Sequence, residues 1–169
     1  KDFYNTLRSH LAQSLPQLNT IALYNRQYEH TQLELPIICP AAYIEFGTLP
    51  WTTVGLHTRE GDADIRIHLA MDHLLQSRTD EGPFASQTFD LQVLDLVQRA
   101  EQALQGKQVV ANGRVLSTEL TSIGTSQDTA ADGLQVWLLD FRCRLIDAGT
   151  NRDRNLTEFI LPAVNVGKT

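Results

Sequence analysis

The chain has 169 residues, 42% of them hydrophobic and 20% charged, the composition of one folded globular domain with its own core rather than of a disordered chain. Lys and Arg total 14 against 20 Asp and Glu, a formal charge of −6. That balance argues against a sequence-specific nucleic-acid binder, which needs a basic footprint to neutralise phosphates.

No apolar run approaches the ~18 residues of a bilayer span and no signal-peptide pattern opens the chain, so the expectation is a cytoplasmic domain without membrane contact. Residues 2–15 predict an amphipathic helix, because Phe3, Leu7, Leu11 and Leu15 recur at four-residue spacing, with Asp2 as its cap and Pro16 as its stop. "TIALYN" predicts a short strand, followed by a polar interval over residues 26–32. In "LPIICPAAYIEFG", Pro36 and Pro40 suit a loop or an edge, and residues 42–46 suit a strand. Trp51 anchors a loop or a second short strand within "TLPWTTVGLH".

"ADIRIHLAMDH" alternates cleanly, with Ile65, Ile67 and Leu69 inward and Asp64, Arg66 and His68 outward. After the turn-rich "SRTDEGPFASQT", Thr88 is the expected N-cap of a helix that carries Phe89, Val93, Leu96, Val97, Ala100 and Leu104 on one side and stops at Gly106. "VLSTELTSIGTS" predicts one strand, "QDTAADG" a loop, and residues 133–147 its antiparallel partner. The tail "LTEFILPAV" suits a last short strand, within an extension over residues 148–169 whose role is open. Helix, strands, helix and two long strands make an α+β domain, an antiparallel sheet with two helices packed on one face.

The last long strand, "GLQVWLLDFRCRLID", has an unusual second face. Leu134, Val136 and Leu138 are apolar, and Asp140, Arg142 and Arg144 then turn it abruptly charged. A half-apolar outer face needs a cover, and exposed apolar patches often mark protein–protein surfaces. The charged half, with Asp64 and Arg66 on a neighbouring strand, is either a solvated set of cross-strand ion pairs or one side of a subunit contact. The polar loop holding Asp128 and Asp132 is either a hairpin tip or an arm that orders against a partner.

Signals of chemistry are sparse. His57, His68 and His73, with Asp72, are the candidate metal ligands, but their spacing matches no established zinc pattern. There is no G-x-S-x-G elbow, and "SIGTS" around Gly124 lacks the lysine of a phosphate loop. Cys39 and Cys143 lie in apolar runs and are expected as buried free thiols. The Asn155-Leu156-Thr157 sequon is discounted without an export signal.

The opening helix, "PAAYIEFGTLPW", "GDADIRIHLAMDH", the central helix ending "ALQGK", and the closing hairpin with "LLDFRCRLID" together resemble the tail-terminator or tail-completion proteins of tailed bacteriophages and prophages. The resemblance spans residues 2–147, carried best by "IEFG", the 65–69 alternation and the hairpin from Val115 to Asp147. It implies a non-enzymatic minor tail protein of the virion, made in the cytoplasm of a bacterial host and needing no cofactor. Its subunits form a ring, usually a hexamer, that caps the tail tube protein and meets the head–tail connector. On that basis Leu134, Val136 and Leu138 would be buried against a neighbouring subunit, with Asp140, Arg142 and Arg144 fixing its orientation. The alternatives are another connector or baseplate component, or a small metalloenzyme built on the histidines.

Overall fold

The computed structural model describes residues 1–28, 37–55, 58–72, 85–128 and 134–147, with residues 85–90 as backbone alone. In chain order the elements are α1 (Asp2–Ser14), β1 (Thr20–Leu23), β2 (Ala41–Phe46), β3 (Thr52–Thr53), β4 (Arg59–Asp72), α2 (Ala85–Leu104), β5 (Gln108–Ala111), β6 (Arg114–Glu119), β7 (Thr121–Asp128) and β8 (Leu134–Asp147). They form a single α+β domain, a curled sheet with two helices on one face, as the pattern of the sequence predicts.

β4 and β8 are the spine of the sheet. They pair antiparallel along their whole length, from Arg59 opposite Asp147 to Asp72 opposite Leu134. The order across the sheet is β1-β2-β4-β8-β6-β5, with β3 added beside β4 and β7 beside β8. Odd-numbered residues of both spine strands face the helices. There Ile65, Ile67 and Leu69 meet Leu139, Phe141 and Cys143 under Leu7, Leu11 and Leu15 of α1 and Val93, Leu96 and Ala100 of α2. Each such side chain contributes roughly 1.5–3 kcal/mol by leaving water. His10 ties the helices together, its Nε2–H donating to the Ala103 carbonyl at 2.8 Å.

Several expectations are corrected. Asp2 lies in the first turn of α1 rather than at its cap, where it still favours the positive end of the helix dipole. α2 begins at Ala85, so Thr88 is inside the helix and not its N-cap. The strand predicted over "VLSTELTSIGTS" is two strands, because Leu120 leaves the ladder and turns fully into the core. Its backbone stays satisfied: the Leu120 N–H donates to Lys107 O at 3.0 Å, and the Gly106 N–H donates to Leu120 O at 2.8 Å. β5 was not expected at all. It pairs with β6 through a two-residue turn in which Asn112 and Gly113 both have positive φ, as a type I′ hairpin requires.

The sheet is antiparallel except for β1, which pairs parallel to β2, Thr20 opposite Ala41 and Leu23 opposite Ile44. A parallel neighbour cannot be reached by a tight turn. The chain therefore has to travel back from Leu23 to Ala41, and the described parts of this connection, residues 24–28 and 37–39, lie against the outer face, opposite the helices. Tyr24, Tyr28, Ile37 and Cys39 of this connection pack on Ala41, Tyr43, Ala70 and Val136.

Replacing Leu120 by Ala should cost about 2–5 kcal/mol of stability, since the cavity opens between two strands and the helix end that hold it. Urea unfolding followed by circular dichroism measures it, and a cost below about 0.5 kcal/mol would show that Leu120 does not anchor the break between β6 and β7.

Candidate functional site

The outer face of the β4–β8 pair divides into two halves of different chemistry. Cross-strand register brings Asp62 opposite Arg144, Asp64 opposite Arg142 and Arg66 opposite Asp140. All three pairs are made. The Arg66 Nε–H donates to Asp140 Oδ1 at 2.6 Å and its Nη2 to Oδ2 at 3.2 Å, a two-pronged bond. Arg142 Nε–H donates to Asp64 at 2.8 Å, and Arg144 Nε–H to Asp62 at 2.9 Å. At the strand ends, on the odd-numbered side of the pair, Arg59 bonds Asp147, its guanidinium also lying 5.2 Å from the centre of the Trp51 ring. The ladder stands in solvent, so its rungs add little to stability. Its effect is on register, because a one-residue slip would set each charge against an apolar residue, and a two-residue slip would set Asp64 against Asp140 or Arg66 against Arg142.

Beyond Arg66 the chemistry changes. His68, expected on a half-exposed face, is 3% exposed. Tyr24 stacks on its ring with centroids 3.9 Å apart and planes 13° apart. Its Nε2–H donates to Glu45 Oε2 at 2.9 Å. An ionised carboxylate only accepts, so this bond places the proton on Nε2 and leaves Nδ1 as an acceptor. Tyr28 then donates its hydroxyl to Nδ1 at 2.6 Å. The same hydroxyl lies 3.4 Å from Asp128 Oδ2. Burial pushes the His68 pKa below its ordinary value, outweighing Glu45, which favours the proton. Burial likewise pushes the Tyr28 phenol up, so both groups are neutral at pH 7.

Val136, expected against a neighbouring subunit, is 0% exposed within the single chain. The cover is the β1–β2 connection, with Tyr28 at its centre. Leu134 and Leu138 are half-buried at the rim of the same cluster, Leu138 opposite His68. Only the charged residues of the predicted surface, Asp140, Arg142, Arg144, Asp64 and Arg66, remain on an open face, and they bond each other. Asp128 is not in a loop: it ends β7, opposite Val136, and reaches the buried tyrosine. Asp132 lies outside the described residues, as do His57, His73, Asn155 and the extension over residues 148–169.

Sequence reasoning missed Glu45, Tyr24, Tyr28 and Asp62. A period-two count from Asp64 back to Asp62 would have found the last. The tyrosines gave a weaker signal, two aromatic rings four residues apart at the edge of a polar interval.

Both ring nitrogens of His68 are engaged by Glu45 and Tyr28, which leaves neither lone pair free for a metal. Among the described residues no three His, Cys, Asp or Glu side chains converge in a metal-holding group. An open cleft of about 470 Å³ lies between α2 and the ends of β2 and β4, lined by Cys39, Pro40, Met71, Asp72, Val93 and Arg99. Burial, assisted by Asp72, pushes the Cys39 thiol up to about 11, and burial and Asp62 do the same to Cys143. Neither is a thiolate at neutral pH, so neither is poised as a nucleophile. Both cysteines are free, and no described helix is long and apolar enough to cross a membrane.

Compared with known proteins, the sequence matches no family model, and no curated protein matches it.

Two substitutions test this architecture. Val136→Asp should unfold the monomer, since it places a carboxylate in a sealed apolar cluster; loss of the circular dichroism signal at neutral pH is the expected result, and a folded, soluble variant would mean the cover is loose. Tyr28→Phe should cost about 1–3 kcal/mol by leaving His68 Nδ1 buried without a donor. The urea midpoint reports it, and an unchanged midpoint would deny the bond any structural role.

Proposed function

We propose that the chain is a structural subunit of a ring that caps the tail tube of a tailed bacteriophage or prophage and joins it to the head connector. Two things support this: the sequence resemblance over residues 2–147, and the edges of the sheet. The observation that carries it is the outer edge of β7, which no described strand covers. Among the described residues, β7 pairs with β8 alone. Its eight residues, Thr121–Asp128, include no Lys, Arg or Pro, the residues that monomeric proteins use to blunt an edge. A bulge between Ser122 and Gly124 is the one interruption of its register, and Ile123 in that bulge is 51% exposed.

At the opposite end of the sheet β1 pairs, among the described residues, with β2, its Ile21 and Leu23 carbonyls accepting from Arg8 Nε–H at 3.0 Å and Gln27 Nε2–H at 2.7 Å, and the Leu23 side chain is exposed. Two unlike surfaces at opposite ends of one sheet, the outer edge of β7 and the exposed Leu23 of a side-chain-capped β1, suit a head-to-tail contact, the kind that closes a ring. The ion-paired ladder runs alongside β7 and would fix the angle between neighbours. No part of this function needs a reacting group, in keeping with an outer face on which Arg66, Arg142 and Arg144 are each paired with a carboxylate.

The test is the solution mass over a wide concentration range, with negative-stain images of any large species. A ring near six times the 18.9 kDa subunit is expected. Ile123→Lys should keep the circular dichroism spectrum and abolish the ring, because it adds a charge at an exposed edge and removes nothing from the core. A monomer at every concentration that also fails to cap purified tail tubes would end the proposal.

A further inference from the structure

The β1–β2 connection is held down on the outer face largely through one imidazole. Tyr24 stacks on His68, and Tyr28 donates to it. The Tyr24 N–H donates to Ile44 O at 2.9 Å, extending the β1–β2 ladder by one rung, while Asn25 and Arg26 are exposed. Under this segment lie Ala41, Tyr43, Ala70 and Val136, all buried. A histidine as the central fastening of a surface segment has a chemical consequence, because its proton count changes in the range that most proteins experience.

The groups that face His68 come from every element packed around it. From the connection come Tyr24 and Tyr28; from β2, Tyr43 and Glu45; from β4, Arg66; and from β7, Asp128. On β8, Leu138 stands opposite with no charge, and Asp140 is occupied by Arg66. In the neutral state the hydrogen bonds run in one direction, Tyr28 to Nδ1 and Nε2 to Glu45. A second proton on the ring turns Nδ1 into a donor. The Tyr28 hydroxyl can then only accept from Nδ1–H, and its own proton has to go to Asp128 Oδ2 at 3.4 Å, the limit of hydrogen-bond reach, or to the Tyr24 side chain, so the set of bonds that closes the segment has to rearrange. The cation itself would sit beneath Tyr24, shielded from water, with Glu45 on one side as its direct counter-charge. Lifting the connection hydrates the ring without disturbing the helix-side core, which lies on the other face of the sheet.

We propose that residues 24–28 form a latch over the apolar half of the outer face, closed while His68 is neutral and released when it takes up a proton. This does not rest on the ring-subunit function and stands or falls separately from it. The sign follows from the direction of the histidine shift. A His68 pKa lowered in the closed form means that closure is fully favoured above the ordinary value of about 6.5 and weakens as pH falls from there towards the lowered value. Closed-state protection should fall by up to about tenfold per pH unit across that window.

The experiment is amide hydrogen exchange on the full chain from about pH 7.5 to about pH 5, corrected for the intrinsic pH dependence of exchange. The Tyr24 amide reports the latch and the Leu139 amide in the inner core is the control. Protection at Tyr24 should fall with acid while Leu139 keeps its own. His68→Gln, which has no cationic form, should make Tyr24 protection independent of pH. Glu45→Gln keeps the imidazole but removes the carboxylate that favours its proton, so it should move the midpoint to lower pH. Equal Tyr24 protection at both ends of the range, or equal loss at Tyr24 and Leu139, overturns the latch. So does an unshifted midpoint in the Glu45→Gln protein.

Discussion

A single parallel pairing organises the outer half of this molecule. β1 lies beside β2 and runs in the same direction, so the chain has to be carried back across a face of the sheet before β2 begins. α1 and α2 already occupy the inner face. The described parts of the return, residues 24–28 and 37–39, lie on the outer face, at the end where β2, β4 and β8 present Ala41, Tyr43, Ala70 and Val136. Those residues are small or apolar on what would otherwise be the wet side of an antiparallel sheet. Their identity follows from the direction of one four-residue edge strand.

The same constraint explains why both spine strands change character midway. In β4, alternation between buried and exposed residues runs from Gly61 to Ile67 and stops at His68, after which both faces are buried. In β8 the change runs the other way, from a covered beginning at Val136 to an open, charged stretch from Asp140 onward. Antiparallel pairing superposes the two covered halves and the two open halves. His68 and Leu138 sit opposite each other at the boundary. A polar side chain at that position can still reach Glu45 on the open side while its other nitrogen is satisfied from the cover, which makes the boundary a natural place for a buried imidazole.

Much of this was legible in the sequence, and the parts that were not share a cause. Four-residue spacing placed α1, and the 65–69 and 135–145 alternations identified the inner faces of β4 and β8, because local periodicity reports burial on the helix side. The change from Val136 and Leu138 to Asp140 and Arg142 correctly signalled that half the outer face needs a cover. It did not identify the cover, because parallel pairing between β1 and β2 is non-local and leaves no spacing to read. The polar interval that begins at Arg26 hid Tyr28 from any count of apolar residues. Leu120 reads as one more alternating residue until the sheet curls beneath α2. Asn112-Gly113 is different: it is a strong local hairpin signal, and β5 and β6 could have been placed from it.

The division of the outer face limits how a neighbouring molecule can engage it. The covered half offers no apolar surface while Tyr24 and Tyr28 are in place. The open half offers three cross-strand ion pairs whose partners already satisfy each other. Burying them under another protein would cost desolvation that their mutual attraction does not return in full, and breaking one to form an intermolecular pair exchanges like for like. Such a ladder can therefore orient a neighbour and reject a wrongly charged one, but it supplies little affinity. Affinity has to come from groups that are unsatisfied in the single chain. Among the described residues β7 offers an outer edge that no strand pairs with, although Gln105 Oε1 already accepts from its Ser122 N–H, and the exposed Ile123 side chain stands at its bulge. Directional binding at the strand edge and orientation by the adjacent ladder are separate contributions from neighbouring strands, and the pairing of β7 with β8 holds them at a fixed distance.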